Sequence, residues 1–322
     1  MKAQTNLTSA LLAGVLSLIL TLDASAQSQQ SINETRQVSA NEKITLEVER
    51  GEVRIRTGSD NTFSVRGQLD ELAEGFELES DNGFTRFEVV MPRSMRWSRN
   101  EQGSDLEIVL PANSDVEFSG VNVAVDVAGV LGGASITTVN GNIVASDLSG
   151  VIALKTVNGP INSSNNRGRV SLQTVNGEIT DNGSSGRLEV STVNGEMDLS
   201  NAAEEVTLNM VNGELRASFD GTSTLEFDTI NAEIHITISN SISPRINGSS
   251  VNGDIILELD SDVGARFDLR TNVGSRIHNG ITDDEAQRPQ FGPGRSLQFT
   301  TGEGTGSVEL NTVSGSIEVG RR

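Results

Sequence analysis

Thr138-Val-Asn-Gly141 returns as Thr156-Val-Asn-Gly159, Thr174-Val-Asn-Gly177 and Thr192-Val-Asn-Gly195. Relatives follow at Met210–Gly213, Thr229–Ala232, Ser250–Gly253 and Thr312–Gly315. The asparagines Asn122, Asn140, Asn158, Asn176, Asn194 and Asn212 are spaced by 18 residues, and Asn231 and Asn252 continue the row at spacings of 19 and 21. A fixed short period means one structural unit stacked on copies of itself. No long stretch has helical periodicity; the segments alternate with period two, as half-buried strands do.

One unit, Gly168 to Ser185, shows how the chain turns. Val170, Leu172 and Thr174 share one face, and Ser171 and Gln173 the other. The next aliphatic residue, Ile179, has the opposite parity. A change of phase inside a strand requires a bulge or a corner. Asn-Gly is suited to a corner because both residues tolerate positive φ. Asn182-Gly183 and the neighbouring Ser and Gly residues make a second bend. Antiparallel hairpins with Asn-Gly turns are the competing fold, but hairpins do not demand one recurring corner per period. The expectation is therefore an all-β, single-stack parallel β-solenoid with coils of about 18 residues and an irregular N-terminal cap. Stacking predicts an apolar interior of Val, Leu and Ile. It also predicts an internal asparagine column, Asn122, Asn140, Asn158, Asn176, Asn194, Asn212, Asn231 and Asn252, whose amides bond to those above and below. At about 4.8 Å per coil, about nine or ten coils make a rod of roughly 45 Å.

The N-terminus reads as an export signal. Lys2 precedes the 12-residue apolar stretch Leu11–Leu22, and Ala24-Ser25-Ala26 has the small-residue cleavage pattern. The stretch is too short to span a bilayer, and no later one is long and apolar enough. Cleavage leaves Gln27 first, and no cysteine follows for lipid attachment. The chain has no cysteine at all, so the fold uses no disulfide. Its net charge of −20 speaks against nucleic acid and anionic membrane surfaces. With no tyrosine, one tryptophan and 33 glycines, small and β-branched residues must fill the core.

The repeated Thr-Val-(Asn/Ser)-Gly-x-Ile unit resembles that of a bacterial family of exported β-solenoid proteins described as candidate adhesins of unknown function. Ile44-Thr-Leu-Glu-Val48, Gly51-Glu-Val-Arg-Ile55 and the closing Thr312-Val-Ser-Gly-Ser-Ile-Glu-Val319 fit the same pattern. The resemblance covers most of the mature chain. It implies a parallel β-solenoid and an exported location, and carries over no catalytic residue.

Composition and rhythm divide the chain into a signal peptide (1–26), a flexible polar leader (27–40), a cap with the first irregular coils (41–118), the regular solenoid (119–278), an inserted loop (279–296) and a closing coil (297–322). The loop breaks the rhythm with Asp283, Asp284, Glu285, Pro289 and Pro293. Terminal units of solenoids must be atypical to protect the open edge.

The column two places after each asparagine carries the candidate chemistry. It reads Asn142, Pro160, Glu178, Glu196, Glu214, Glu233, Asp254. Two carboxylates one coil apart in water repel by just under ~1 kcal/mol. The five acids therefore read as a strip for a divalent cation or a basic partner, or as a solvated column that keeps the rod soluble. No other cofactor is expected. The calcium-binding glycine-aspartate nonapeptide pattern is missing, and His235 and His278 lack zinc-ligand spacing. The aliphatic hexad of the acyltransferase solenoids fails, because Val170 is followed by Asn176 and Asn182. One threonine per coil, without a paired Thr-x-Thr, speaks against an outward hydroxyl strip. Arg86, Arg93, Arg96 and Arg99 with Trp97 form either a sugar- or anion-binding group or an ordinary cap edge. The functional expectation is a non-enzymatic exported solenoid with an adhesin-like or structural binding role at the cell envelope, its partner a polymer, glycan or protein. The alternative is a glycan-active β-helix enzyme, which needs acidic pairs on an exposed groove.

Overall fold

The computed structural model describes residues 29–93, 101–273, 275–288, 290 and 292–322. The signal peptide, Arg96, Trp97, Arg99 and Pro289 lie outside the described residues. The described residues form a parallel β-solenoid of twenty-three strands. Ile143 registers with Ile161 and Ile161 with Ile179, while Ile152 registers with Val170 and Val170 with Leu188. In mid-rod the ladder runs round the corner without a break, so Ile179–Asp220 is one strand of 42 residues. Among the described residues no helix is long and apolar enough to cross a membrane.

Like residues stacked on like residues make the core. Phe118, Ile136, Leu154, Leu172, Val190, Leu208 and Phe227 form one interior column, each at most 1% exposed. Full burial of such a side chain is worth roughly 1.5–3 kcal/mol. Volume is exchanged between layers. Gly248 follows Phe227 in the column, and a Cβ there would lie 2.0 Å from the Phe227 ring. The ring fills the space that the glycine leaves, as close packing requires.

In six coils the second bend holds one residue in the left-handed region. Gly129 (φ 82°), Asp147 (56°), Asn165 (54°), Gly183 (74°), Gly221 (77°) and Asn240 (55°) occupy this place. Glycine and short Asn or Asp side chains take this conformation at least strain. Extra residues accumulate beside this bend, at 221–223 and 240–244, where the spacing grows to 19 and 21.

Stacking order departs from chain order at both ends. Lys43–Glu47 and Arg50–Gly58 lie between the later coils Phe84–Val90/Ser104–Pro111 and Asp115–Ser119/Asn122–Ala128. Gly306–Ser314 and Ile317–Arg321 lie between Arg245–Asn252/Ile255–Leu259 and Ala265–Thr271/Ile277–Asn279. The segment expected to close the rod is thus its penultimate layer. This order leaves the edge of Ala265–Thr271 to the antiparallel strand Arg295–Thr300, and Phe299 stacks on Phe267 at 4.3 Å. At the other end Thr62–Gln68 runs antiparallel to Ser104–Pro111, and Gly75–Asp81 to Phe84–Val90. Antiparallel strands blunt an edge that would otherwise template further parallel pairing.

The leader expected to be flexible is part of this cover. Ser31–Gln37 pairs antiparallel with Thr62–Gln68 along its whole length and buries Ile32. A polar strand needs few buried residues when a neighbour's ladder satisfies its backbone. An ion pair fixes the cap beneath it: Arg50 Nε and Nη2 donate to Asp70 Oδ2 and Oδ1 at 2.6 and 2.7 Å. Arg86, from the arginine group, is engaged by Glu47, Glu77 and Glu88.

Among the described residues of the regular rod, one ionisable group is buried. Asp181 is fully buried and accepts hydrogen bonds from Ser163 Oγ (2.5 Å), Ser184 Oγ (2.6 Å) and Asn201 Nδ2 (2.9 Å). Burial pushes its carboxyl above the ordinary value, and the three donors pull it partly back. A raised folded-state value means that the unfolded chain loses this proton first as pH rises. The contribution of Asp181 to stability is therefore complete below about pH 4 and declines as pH climbs through the raised value. In denaturant titrations across pH, the stability of the native chain relative to Asp181→Asn falls over this window; a difference independent of pH contradicts the assignment.

The interleaved end is open to a direct test, because the chain has no cysteine of its own. Ser249 and Asn311 are register partners, whereas Ser249 and Arg270 are separated by one intervening layer. Disulfides close only when Cα atoms are within about 7 Å. Oxidised Ser249→Cys/Asn311→Cys protein becomes crosslinked and Ser249→Cys/Arg270→Cys does not, as read by mass spectrometry of peptides; the reverse result restores chain-order stacking.

Candidate binding face

The corner of each coil is written by its motif. Thr174 points inward, Val175 and Asn176 both lie outside, Glu178 is outside, and Ile179 is inside again. Two successive outward residues produce the change of phase. The inward threonines Thr138, Thr156 and Thr174 donate to Val123, Gly141 and Gly159 carbonyls of the preceding coil at 3.2, 3.1 and 3.1 Å.

The motif glycines are explained by contact between coils. A Cβ on Gly159, Gly177 or Gly195 would lie 2.2, 1.9 or 1.9 Å from the carbonyl oxygen of Gly141, Gly159 or Gly177. These three do not have positive φ; among the motif glycines only Gly213 (145°) and Gly253 (139°) do. Close backbone approach, more than left-handed geometry, excludes a side chain here.

Outside the glycines runs the asparagine ladder. Nδ2 of Asn140, Asn158, Asn176, Asn194, Asn212, Asn231 and Asn252 donates to Oδ1 of the preceding asparagine, at 2.7, 2.7, 2.9, 2.9, 2.9, 3.0 and 2.9 Å, beginning with Asn122. The expected internal amide column is thus corrected: the amides pair as stacking requires, but at the surface. The interior place belongs to the threonine, because the change of phase falls after it.

Beside the ladder lies a column that the sequence reading passed over. Val139, Val175, Val193, Ile230, Val251, Val313 and Val273 are each between 37% and 55% exposed. Val121, Val157 and Val211 fill the intervening layers, half-buried. The signal was present, since alternation from an inward threonine sends the next residue outward. The result is an unbroken aliphatic ridge along the rod.

The acidic column follows on the far side of the ladder. Glu178, Glu196, Glu233 and Asp254 are exposed and Glu214 half-exposed. The structure brings them into successive layers, with Glu214 registered on Glu233. Arg216 lies between two of them, pairing with Glu214 and approaching Glu196 at 3.9 Å. Asp254 accepts the Ser316 amide at 2.7 Å. Among the described residues no three or more His, Cys, Asp or Glu come together as a metal site.

The parallel stack with its recurring corner defines a β-solenoid of repeated short coils. The chain belongs to the Toastrack DUF4097 family, whose profile matches residues 41–286. It is also similar to two solved structures. One, from Clostridium sporogenes, is described as a provisionally assigned cell adhesion protein; it is 10% identical, with a TM-score of 0.24, and the match covers 91% of this chain and 100% of that one. The other, from Bacteroides fragilis, is described as a provisionally assigned adhesin; it is 14% identical, with a TM-score of 0.38, covering 91% of this chain and 98% of that one.

Removing one amide from the ladder breaks two bonds, and exposed bonds are each worth about 0.5 kcal/mol or slightly more. Asn194→Ala therefore lowers stability by about 1 kcal/mol, measured as the shift of the urea midpoint. An unchanged midpoint would mean that the ladder adds nothing to the backbone stack.

Proposed function

We propose that this protein is an exported, non-enzymatic binding rod of the bacterial cell envelope, which holds an extended partner by many weak contacts along its corner columns. The observation that carries this reading is the aliphatic ridge from Val121 to Val273, repeated through ten consecutive layers with the amide ladder beside it from Asn122 to Asn252. Exposed apolar side chains scattered singly need no explanation, but a continuous row marks an interaction surface. A row of equal weak contacts gains strength from number rather than from any one contact. The N-terminal segment with Lys2, Leu11–Leu22 and Ala24-Ser25-Ala26 supports export.

Two measurements test the reading. N-terminal sequencing of protein from envelope and extracellular fractions finds a chain beginning at Gln27; full-length protein in the cytoplasm alone contradicts export. Purified protein cosediments with isolated envelope material and leaves acidic polysaccharides uncleaved. Turnover that is abolished by a single acidic substitution makes the protein a glycan-active enzyme and overturns the binding reading.

A further inference from the structure

We propose that the ridge between Val175 and Val251 docks a basic amphipathic helix laid lengthwise along the rod, an inference that rests on the binding reading above and names its partner. Val175, Val193, Val211, Ile230 and Val251 stand in consecutive layers, and three residues after each comes Glu178, Glu196, Glu214, Glu233 or Asp254. The surface is therefore aliphatic along its crest and acidic along one flank. The other flank, formed by the residues before each inward hydroxyl or methionine, is Gln173, Ser191, Asn209, Asp228 and Ser249, with no cation among them. Arg216 offsets only part of the acidic flank, through Glu196 and Glu214. Such a strip is complementary to a partner that is apolar along one line and cationic beside it.

Spacing selects a helix. Layers of the rod repeat every 4.8 Å or so, which puts about 19 Å between Val175 and Val251. A helix presents one residue of its apolar stripe per turn of about 5.4 Å. Over four intervals the two repeats drift by about 2.4 Å, less than one layer. An extended chain presents same-face residues about 6.7 Å apart and drifts by more than one and a half layers. A second copy of this chain fits poorly. Each copy carries −20 and the same acidic flank beside the ridge. Even the whole ridge from Val121 to Val273, about 43 Å long and about 10 Å wide, falls short of the roughly 800 Å² per partner of a stable dimer.

The test uses two labelled synthetic peptides of about fifteen residues and identical Leu/Lys composition, one with leucine at helical spacing and one alternating leucine and lysine. Binding to the purified mature chain is read by fluorescence anisotropy at about 0.15 M salt, where exposed charges more than about 8 Å apart are screened. The helix-patterned peptide binds more tightly than the alternating one. Val175→Ser/Val193→Ser/Ile230→Ser weakens it about tenfold, in line with lost apolar area. Glu178→Gln/Glu196→Gln/Glu233→Gln weakens it and flattens its salt dependence. Val151→Ser, an exposed valine on another face, leaves binding unchanged, and circular dichroism verifies that every variant is folded.

Equal binding of the two peptides, or binding insensitive to the ridge substitutions, overturns the proposal and reduces the attraction to net charge. Wild-type self-association that the ridge substitutions abolish overturns it in favour of a second copy. Cosedimentation with envelope material that survives the ridge substitutions overturns this docking surface while the broader binding reading stands. Polysaccharide turnover without envelope binding defeats the broader reading itself, whatever the peptides do.

Discussion

At the corner of most coils a glycine lies directly on a carbonyl of the coil below it, usually that of another glycine. That contact leaves no room for a Cβ, since a methyl group on Gly177 would approach the Gly159 oxygen to 1.9 Å. It fixes how closely the coils stack and in which register, and the other columns follow. The Thr156 and Thr174 hydroxyls reach the carbonyls of the preceding coil because those carbonyls are held beneath them, whereas the Thr192, Thr229 and Thr312 hydroxyls are buried without a partner among the described residues. Asparagine amides reach one another because one layer separates them. The exception is instructive: Ala232 takes the glycine's place where the spacing has grown to 19, and its Cβ is accommodated.

The interior is built to the same rule with little help from aromatic mass. Small and branched residues repeat from layer to layer, and where a phenylalanine intrudes a glycine yields, as with Phe227 and Gly248. The buried polar groups near the second bend obey the same economy of space. Ser163, Asp181, Ser184 and Asn201 satisfy one another across three successive layers. Asn166 adds bonds to the Leu148 amide and to Ser163. A carboxylate without such donors would be costly to bury.

Much of this was legible in the sequence because the period is visible residue by residue. The change of parity between Thr174 and Ile179 reveals a corner, and the 18-residue recurrence reveals a parallel stack. The placement of Asn176 was less legible, since parity does not say on which side of a corner two adjacent residues fall. The amide ladder therefore looked internal. The valine ridge went unread for another reason: an aliphatic residue in a β-rich chain is taken for core unless the alternation is followed one step past the threonine. The ends were beyond local reading. Arg245 registers with Ser307, and Ser307 with Arg266. Yet Arg245 and Arg266 are 21 residues apart, a spacing that would serve equally well for direct stacking. Only long-range pairing, with Arg295–Thr300 covering the freed edge, selects the interleaved order.

The distribution of irregularity around the coil argues that the corner is the face the fold keeps constant. Coils lengthen towards the C-terminal end, but the added residues enter at 221–223 and 240–244, beside the left-handed bend. The ladder passes these coils without a gap, from Asn212 to Asn231 at 3.0 Å and from Asn231 to Asn252 at 2.9 Å. The ridge does the same through Val211, Ile230 and Val251. An insertion at the corner would displace every outward side chain beyond it, because side chains alternate with a period of two. An insertion at the opposite bend leaves the columns aligned. Length can therefore vary in this rod without interrupting the ridge or the ladder.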